Sequence, residues 1–266
     1  MSRYTSFAVI GAGLIGGPIV QNLIDNGASV VVIARPGSST ANKLPAGAKS
    51  AVVDLKSASA LAAAFREHKV EVVVSTVGHP GLPTQPVIAD GAKAAGVKLF
   101  VPSEFGVPTD GYTEGDLGVK SKFASYLAEI GLPSARIFNG LFIDFIPWAA
   151  EIDSGKFKIL GKGESKVTVT AAEDIAGFTA YILTNLPPSK LQNAAFRIQG
   201  AYVTLREVAA LYGDAYPIEH VDKFEDAFKT GLQSVIESGA ATTGGTSNEL
   251  WEGHQWKGIK EVLKLA

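Results

Sequence analysis

The chain contains no cysteine, which excludes disulfide bridges and thiolate metal sites. Histidine is also scarce, and no two histidines have the spacing of a metal-ligand pair. The four histidines are His68, His79, His220 and His254. We therefore expect no metal cofactor. A chain without cysteine also suits a reducing compartment, so we expect a cytoplasmic protein.

Acidic and basic residues are nearly equal in number, with 26 Asp and Glu against 24 Lys and Arg. The formal net charge is −2, the sequence pI is ≈ 6.1, and no run of lysine and arginine occurs. A nucleic-acid partner is therefore not predicted. No apolar run approaches the roughly 18 residues that a membrane-spanning helix needs. We expect a small-molecule substrate, no membrane partner, and a monomer or homodimer.

Apolar residues and glycine are abundant: 46% of the 266 residues are hydrophobic, and 29 are glycine. Short β-branched runs alternate with alanine-rich segments in the first half. The predicted strands are 7–10, 29–34, 51–54, 70–76, 97–101 and 134–138, and the predicted helices between them are 14–26, 57–68, 84–95 and 120–130. Such alternation, with strands that are apolar throughout, indicates an α/β Rossmann fold with a doubly wound parallel sheet.

The alternation loosens after about residue 145. The predicted elements there are a hairpin or an extended excursion over 156–170, helices over 172–186, 204–213 and 256–265, and a strand over 194–200. Thr204 and Glu207 have the spacing of a capping box. We predict a Rossmann domain over 1–145 and a smaller, mainly substrate-binding portion over 146–266 that is interleaved with it.

A glycine motif, "GAGLIG", follows the first predicted strand and opens the first helix. Gly11 permits the tight turn, Gly13 lets a pyrophosphate approach the backbone, and Gly16 lets helix and strand pack closely. Leu14 and Ile15 complete the loop. The motif alone is also compatible with a plain glycine-rich turn, but its place between a strand and a helix favours dinucleotide binding.

The end of the second strand predicts which dinucleotide is bound. A site for NAD carries an acidic residue about 20 residues past the last glycine, where it binds the ribose 2′-OH. Here Arg35 stands 19 residues after Gly16, and no acidic residue is close to it. A guanidinium suits a 2′-phosphate, and Lys43 adds a donor. The pattern predicts NADPH/NADP⁺, although a solvated surface arginine is the alternative for Arg35.

Several motifs together resemble one family. They are "GAGLIG" (11–16), "VDL" (53–55), "VVVSTVG" (72–78), "FVPSEFG" (100–106), "NGLF" (139–142), "EDIA" (173–176) and "GHQWKGIKEVL" (253–263). The chain resembles the NmrA-like, isoflavone-reductase-like atypical short-chain dehydrogenases, and its last segment is most similar to the fungal members. The resemblance implies an NADPH-binding Rossmann domain, a smaller substrate domain, and the reduction of aromatic secondary metabolites.

Ligands of open α/β sheets bind beyond the carboxyl ends of the strands. The residues that follow these strands are therefore expected to contact the nicotinamide half of the cofactor: Thr76, Val77, Gly78, Pro102, Ser103, Phe105 and Asn139. Glu104 is expected to anchor its loop, and a structural turn is the alternative for Ser103 and Glu104. The residues expected at the substrate are His79, Phe142, Phe145 and Trp148. The alternative for Phe142, Phe145 and Trp148 is a place in the hydrophobic core.

Ordinary short-chain dehydrogenases transfer the proton through a Tyr-x-x-x-Lys motif. None of the seven tyrosines here has a lysine four residues further on, so the proton donor must be another residue. The family resemblance implies a lysine near the start of a helix. Lys120, 11 residues before Gly131, has the family's spacing, and Lys122 does not. A lysine at a helix N-terminus has its pKa lowered by the helix dipole, and Lys120 is thus the expected general acid/base.

Two functions follow from these observations. The first is an NADPH-dependent reductase of a small aromatic or phenolic metabolite, with Lys120 as the general acid/base. The second is a redox sensor of the NmrA type, which binds NADP(H) without turnover and signals to a protein partner. Lys120 favours the enzyme, because a sensor needs no proton donor.

Overall fold

The computed structural model describes residues 3–38 and 44–265. The chain divides into two compact units. The first unit comprises Met1–Glu104, Thr109–Ile137 and Ala176–Phe196, and the second comprises Phe105–Pro108, Phe138–Ile175 and Arg197–Ala266. The chain therefore leaves the first unit and returns to it. The predicted division at residue 145 stays a prediction.

The strands and helices alternate through the first half of the chain. The strands are β1 Ser6–Ile10, β2 Ser29–Ala34, β3 Lys49–Val52, β4 Val72–Ser75, β5 Leu99–Val101, β6 Ala135–Phe138, β7 Leu141–Phe142, β8 Phe157–Leu160, β9 Lys166–Thr170, β10 Ala194–Arg197, β11 Ala201–Thr204 and β12 Ile218–Val221. The α-helices are α1 Gly16–Asp25, α2 Ala58–Glu67, α3 Gln85–Ala95, α4 Gly115–Glu129, α5 Ile146–Ala149, α6 Ala172–Asn185, α7 Pro188–Leu191, α8 Leu205–Tyr212, α9 Ala227–Glu237 and α10 Ile259–Leu263. Short 3₁₀ segments cover His79–Thr84, Ile143–Phe145, Ile152–Ser154 and Asn248–Leu250.

The first unit is built on a parallel five-stranded sheet in the order β3-β2-β1-β4-β5. Its central strands are buried because helices cover both faces, which explains their continuous apolar sequences. Strand β6 lies beside β5 through a single parallel bridge between Phe100 and Ser134, and pairs with β10. The predicted parallel sheet is confirmed, although its sixth strand is joined to it by that one bridge.

The core of the first unit fills the space between the sheet and its helices. Phe65, Phe100 and Leu127 are almost fully buried there, and the rings of Phe100 and Phe123 meet edge to face at 5.6 Å. Helix α4 brings Phe123 and Leu127 into this core. Packing against β5 thus fixes where the rest of α4 lies.

The second unit holds two small sheets. Strand β9 pairs with β7 in parallel and with β11 antiparallel, whereas β8 pairs with β12. Of the two alternatives for 156–170, the hairpin is therefore wrong, since β8 and β9 belong to different sheets. The segment between β8 and β9 is bound to the end of α9: the backbone amides of Lys162 and Gly163 donate to the Glu237 carboxylate at 2.8 and 3.0 Å.

Helix ends in the second unit follow local chemistry. The predicted capping box of α8 is present: Glu207 N donates to Thr204 Oγ1 at 3.0 Å, and Thr204 N donates to Glu207 Oε2 at 2.7 Å. Helix α9 was not predicted, although Asp226 caps it by accepting from Phe228 N. Helix α10 is shorter than predicted and begins at Ile259.

Two properties of the described ranges bear on function. No helix there combines the length and the apolarity needed to cross a bilayer. The same residues include no group of three or more His, Asp or Glu side chains placed to hold a metal ion.

Candidate functional site

The glycine loop after β1 is held by the end of β4. Gly11 takes the left-handed conformation (φ 85°), and its amide donates to Ile33 O at 3.2 Å. The Thr76 hydroxyl lies 3.0 Å from Ile10 O and 2.9 Å from Gly11 O. Thr76, expected at the cofactor, therefore also fastens the loop.

Gly16 and Gly13 differ in the space around them. A Cβ at Gly16 would lie 2.4 Å from both Gly11 O and Thr76 Oγ1, so no side chain fits there. A Cβ at Gly13 would meet nothing within 4 Å. The loop is thus closed at Gly16 and open at Gly13, as expected for a backbone that a ligand approaches.

The start of α1 is open to an anion mainly through the helix dipole, because Gly17 N donates to Gly13 O at 3.0 Å and Pro18 has no N–H. Ile15 occupies the N-cap position without a capping side chain, and the first turn carries no acidic residue. Leu14 is exposed at the loop surface. The positive end of the helix dipole favours an anion, and the space beside Gly13 is open, so this cradle fits a pyrophosphate.

Arg35 follows β2 directly and its side chain is exposed. Strands β1 and β2 are parallel neighbours, so Arg35 and the glycine loop lie at the same edge of the sheet. Lys43, the second predicted donor for the 2′-phosphate, lies outside the described residues.

The loops after β4 and β5 are joined to each other. Ser103 Oγ donates to Val77 O at 2.8 Å, and Ser103 N donates to Oε1 of the fully buried Gln85 at 2.8 Å. Pro102 is buried and Gly78 is exposed. Gln85 was not predicted, because it stands 18 residues from Ser103 on the first turn of α3.

Lys120 is bound to the loop that follows β5. Its Nζ donates to the main-chain oxygen of Glu104 at 2.5 Å. The predicted position at a helix N-terminus is wrong, because α4 begins at Gly115 and Lys120 lies in its second turn. Gly115 and Gly118 are poor helix formers and hid this first turn in the sequence.

The ionisation of Lys120 is controlled by its surroundings and not by the helix terminus. Burial lowers the pKa of Lys120, while the negative charges of Glu104 and Asp116 oppose that change. Asp116 lies one turn earlier on α4, and its Oδ2 contacts Nδ1 of His79. His79, expected at the substrate, has a mostly exposed side chain. Asp116 thus acts electrostatically on Lys120 and also contacts His79, which follows β4.

Glu104 anchors its loop, as the sequence predicted for this residue. Its carboxylate is 1% exposed and accepts from Arg136 Nε at 2.8 Å and from Thr109 Oγ1 at 3.1 Å. Arg136 also donates to Thr109 Oγ1 at 2.7 Å and to Asp110 Oδ1 at 2.6 Å. Arg136 was not predicted, because it lies on β6, 32 residues from Glu104.

The remaining predicted cofactor residues belong to the second unit. Phe105 is buried and has φ 25°, a conformation uncommon for a residue other than glycine. Asn139 is fully buried; its main-chain N–H donates to Gly106 O at 2.9 Å, and its side-chain Nδ2 donates to Gly140 O at 3.0 Å. Within the described ranges, Asn139 Oδ1 accepts no hydrogen bond. A buried amide oxygen without a donor is unfavourable, and a ligand or water donor would satisfy it.

Aromatic side chains of the second unit form a row that is partly exposed. Phe142 is buried, whereas Phe145 and Trp148 are 41% and 40% exposed. Neighbouring ring centroids are 5.3 Å apart for Phe142 and Phe145, 6.2 Å for Phe145 and Trp148, and 6.0 Å for Trp148 and Phe228. Phe228 on α9 was not predicted. Of the expected substrate residues on this row, Phe145 and Trp148 present ring surface outside the core.

Fold and glycine loop together define a protein of the Rossmann type. The sequence pattern of the NmrA-like family matches residues 5–221. The chain therefore belongs to the NmrA-like family, and the resemblance seen in its motifs is confirmed.

Curated relatives include plant and fungal proteins. An isoflavone reductase homolog (P3) from Arabidopsis thaliana is 35% identical over 142 residues, which are 47% of this chain and 44% of that protein. Phenylcoumaran benzylic ether reductase 1 from the same plant is 30% identical over 189 residues, 64% of this chain and 61% of that protein. An NmrA-like family domain-containing oxidoreductase from Gibberella moniliformis is 26% identical over 237 residues, 78% and 76% of the two chains. The chain thus matches less than two thirds of the length of these plant relatives.

Solved structures resemble the whole chain. The structure of AtPrR2 with NADP⁺ and (+)pinoresinol has a TM-score of 0.80 at 21% identity and covers 99% of both chains. The binary complex of leucoanthocyanidin reductase with NADPH, from Vitis vinifera, has a TM-score of 0.79 at 20% identity and covers 96% of this chain and 97% of its own. At this identity the likeness establishes the fold, and the predicted α/β Rossmann fold is confirmed.

The two glycines of the loop make a matched pair of tests. We expect Gly13→Val to abolish NADPH binding while the melting temperature stays native, because the added side chain points into open space that the pyrophosphate needs. Gly16→Val should instead lower the melting temperature, because its Cβ meets the Gly11 carbonyl. Calorimetric titration and thermal melts of both variants measure this. Native NADPH affinity in folded Gly13→Val would show that the loop is only a turn.

Proposed function

We propose that the protein is an NADPH-dependent reductase of a small aromatic or phenolic metabolite. The observation that carries the proposal is Lys120: a half-buried lysine with a lowered pKa, held by the loop after β5 in the unit that contains the glycine cradle. Its family and the fold it shares with solved reductases support the proposal. The compounds named for those relatives support the proposed substrate class.

The cofactor is assigned to the edge of the sheet where β1, β2, β4 and β5 end. The glycine cradle at the N-terminus of α1 would bind the pyrophosphate, and Arg35 would bind the 2′-phosphate. NADPH, when bound, supplies the hydride. The loops that contain Thr76, Val77, Gly78, Pro102 and Ser103 would shape the nicotinamide side of this edge. The cofactor contacts expected of Phe105 and Asn139 stay predictions.

Lys120 would supply the proton that accompanies reduction. An ammonium has three N–H donors, and Lys120 uses one on Glu104 O. The others are available to a substrate oxygen that becomes negative as it is reduced. Because burial lowers the pKa of Lys120, transfer of its proton is easier than from a solvated lysine.

The substrate class follows from aromatic surface and from relatives. The partly exposed rings of Phe145 and Trp148 suit an aromatic substrate. The first relatives are named for isoflavone and benzylic ether reduction, and one solved relative holds pinoresinol. We therefore propose aromatic ketones, enones and benzylic ethers as the compounds to test by loss of NADPH absorbance. Phe142 and His79 stay proposed substrate contacts.

Selectivity for NADPH tests the role of Arg35. We expect NADPH to bind at least about tenfold more tightly than NADH, about 1.4 kcal/mol, because the guanidinium has a 2′-phosphate partner only in NADPH. Arg35→Ala should remove most of this preference and leave NADH binding unchanged. Isothermal titration of both dinucleotides gives the comparison. Equal affinities in the native protein would contradict the assignment.

Replacing Lys120 tests its proposed role as the general acid. A general acid contributes roughly 10²–10⁴-fold to rate, so Lys120→Ala should lower kcat by that factor while NADPH affinity is retained. In the native enzyme kcat for reduction should fall as pH rises through the pKa of Lys120, since the ammonium is the active form. That fall should occur below the ordinary lysine range, because burial lowers this pKa.

Lys122→Ala is the matched control, because Lys122 lies on the same helix and is exposed. It should keep native kcat and the native pH profile. Near-native turnover in Lys120→Ala would show that the proton comes from another group. No turnover by the native protein across the aromatic panel, with NADPH still bound, would favour the redox-sensor function.

A further inference from the structure

Glu104 interacts with Lys120 through two different groups. Its main-chain oxygen accepts the hydrogen bond from Lys120 Nζ at 2.5 Å, and its carboxylate is one of two negative charges that favour the ammonium form. The position of both groups depends on where the backbone at residue 104 is held. The question is therefore what fixes this residue.

The backbone before Glu104 is bound to neighbouring loops. Glu104 N donates to Pro102 O at 2.8 Å, and Ser103 is held by Gln85 and by Val77 O. These bonds set the path of the chain from β5 to residue 104. They leave the orientation of the Glu104 side chain to other partners.

Arg136 supplies that orientation from β6. Its Nε donates to Glu104 Oε1 at 2.8 Å, and the Arg136 side chain is only 14% exposed. Thr109 Oγ1 lies between the two, within hydrogen-bond distance of both Glu104 oxygens and of Arg136 Nη2. A planar guanidinium reaches these partners at once, which an ammonium cannot do.

We propose that Glu104 and Arg136 act together as positioning residues for Lys120: Arg136 fixes Glu104, whose carbonyl holds the ammonium and whose carboxylate stabilises its charge. The claim that this positioning matters for turnover rests on the proposed function. The geometry itself is independent of turnover, so the two are tested separately.

The charges that face Lys120 come from two elements. Asp116 lies on α4 itself and contacts His79, and Glu104 lies on the loop after β5, paired with Arg136. Asp110 accepts from Arg136 on its exposed side, with its own side chain 64% exposed. Asp110 is thus a carboxylate of the same ion network that does not touch Lys120, which makes it a suitable control.

The first measurement needs no substrate. Lysine carrying ¹³C at Cε is incorporated, the Lys120 signal is assigned with Lys120→Arg, and its chemical shift is followed against pH. We expect Glu104→Gln to lower the titration midpoint of Lys120 by about one unit, because an opposite charge nearby is lost. Glutamine keeps the shape of Glu104 and an oxygen for Arg136 Nε, so the fold is expected to persist.

Asp110→Asn should leave the Lys120 midpoint at its native value. A purely structural role for the Glu104–Arg136 pair predicts a different pattern, in which the Lys120 midpoint does not move in folded Glu104→Gln, whatever happens to the melting temperature. That pattern would overturn the inference. An equal shift of the Lys120 midpoint in Glu104→Gln and Asp110→Asn would also overturn it. The shift would then come from the loss of any nearby negative charge and not from Glu104 in particular.

The second measurement uses NADPH oxidation with an active compound from the aromatic panel. Arg136→Lys keeps the charge but loses the fork that fixes Glu104. We expect kcat to fall about 10-fold to 100-fold, as for a misplaced catalytic group, with KM for NADPH unchanged. This variant also tests the inference if Glu104→Gln does not fold. Native kcat in folded Arg136→Lys would overturn the positioning role, whereas a native protein without turnover would refute the proposed function and leave the ¹³C result to decide the inference.

Discussion

The buried carboxylate of Glu104 is the constraint around which the first unit's site is arranged. A carboxylate that is 1% exposed requires a charged partner, and losing one member of such a pair destabilises a protein by about 3–5 kcal/mol. Arg136 on β6 is that partner. The chain leaving β5 is therefore tied to the next strand directly, and the Glu104 carbonyl has a defined place. Lys120 then binds that carbonyl from α4.

Parallel pairing brings the other parts of the site to the same edge. Because β4 lies between β1 and β5, its end contacts both neighbouring loops: Thr76 binds the glycine loop, and Val77 accepts from Ser103. The exclusion of any side chain at Gly16 keeps α1 close to this junction. The cradle and the lysine are thus positioned by one continuous set of backbone and hydroxyl contacts.

Local patterns predicted what local forces determine. The limits of β2 matched the sequence prediction, and the conformation of Gly11 and the capping box at Thr204 followed from residue chemistry within a few positions. The partners of Ser103 and Glu104 lie 18 and 32 residues away, and no periodicity identifies them. The start of α4 was missed because its first turn contains two glycines, whose low helix propensity is overcome by tertiary packing.

The corrected position of Lys120 changes the physical account of its reactivity. A dipole at a helix terminus falls off within one turn, so it contributes little to a residue in the second turn. Burial lowers the pKa of Lys120 instead, and the carboxylates of Glu104 and Asp116 limit that change. Burial alone would favour the neutral amine, and two close carboxylates alone would retain the proton. The net result is a Lys120 pKa below that of a solvated lysine, which is the property that the proposed general acid needs.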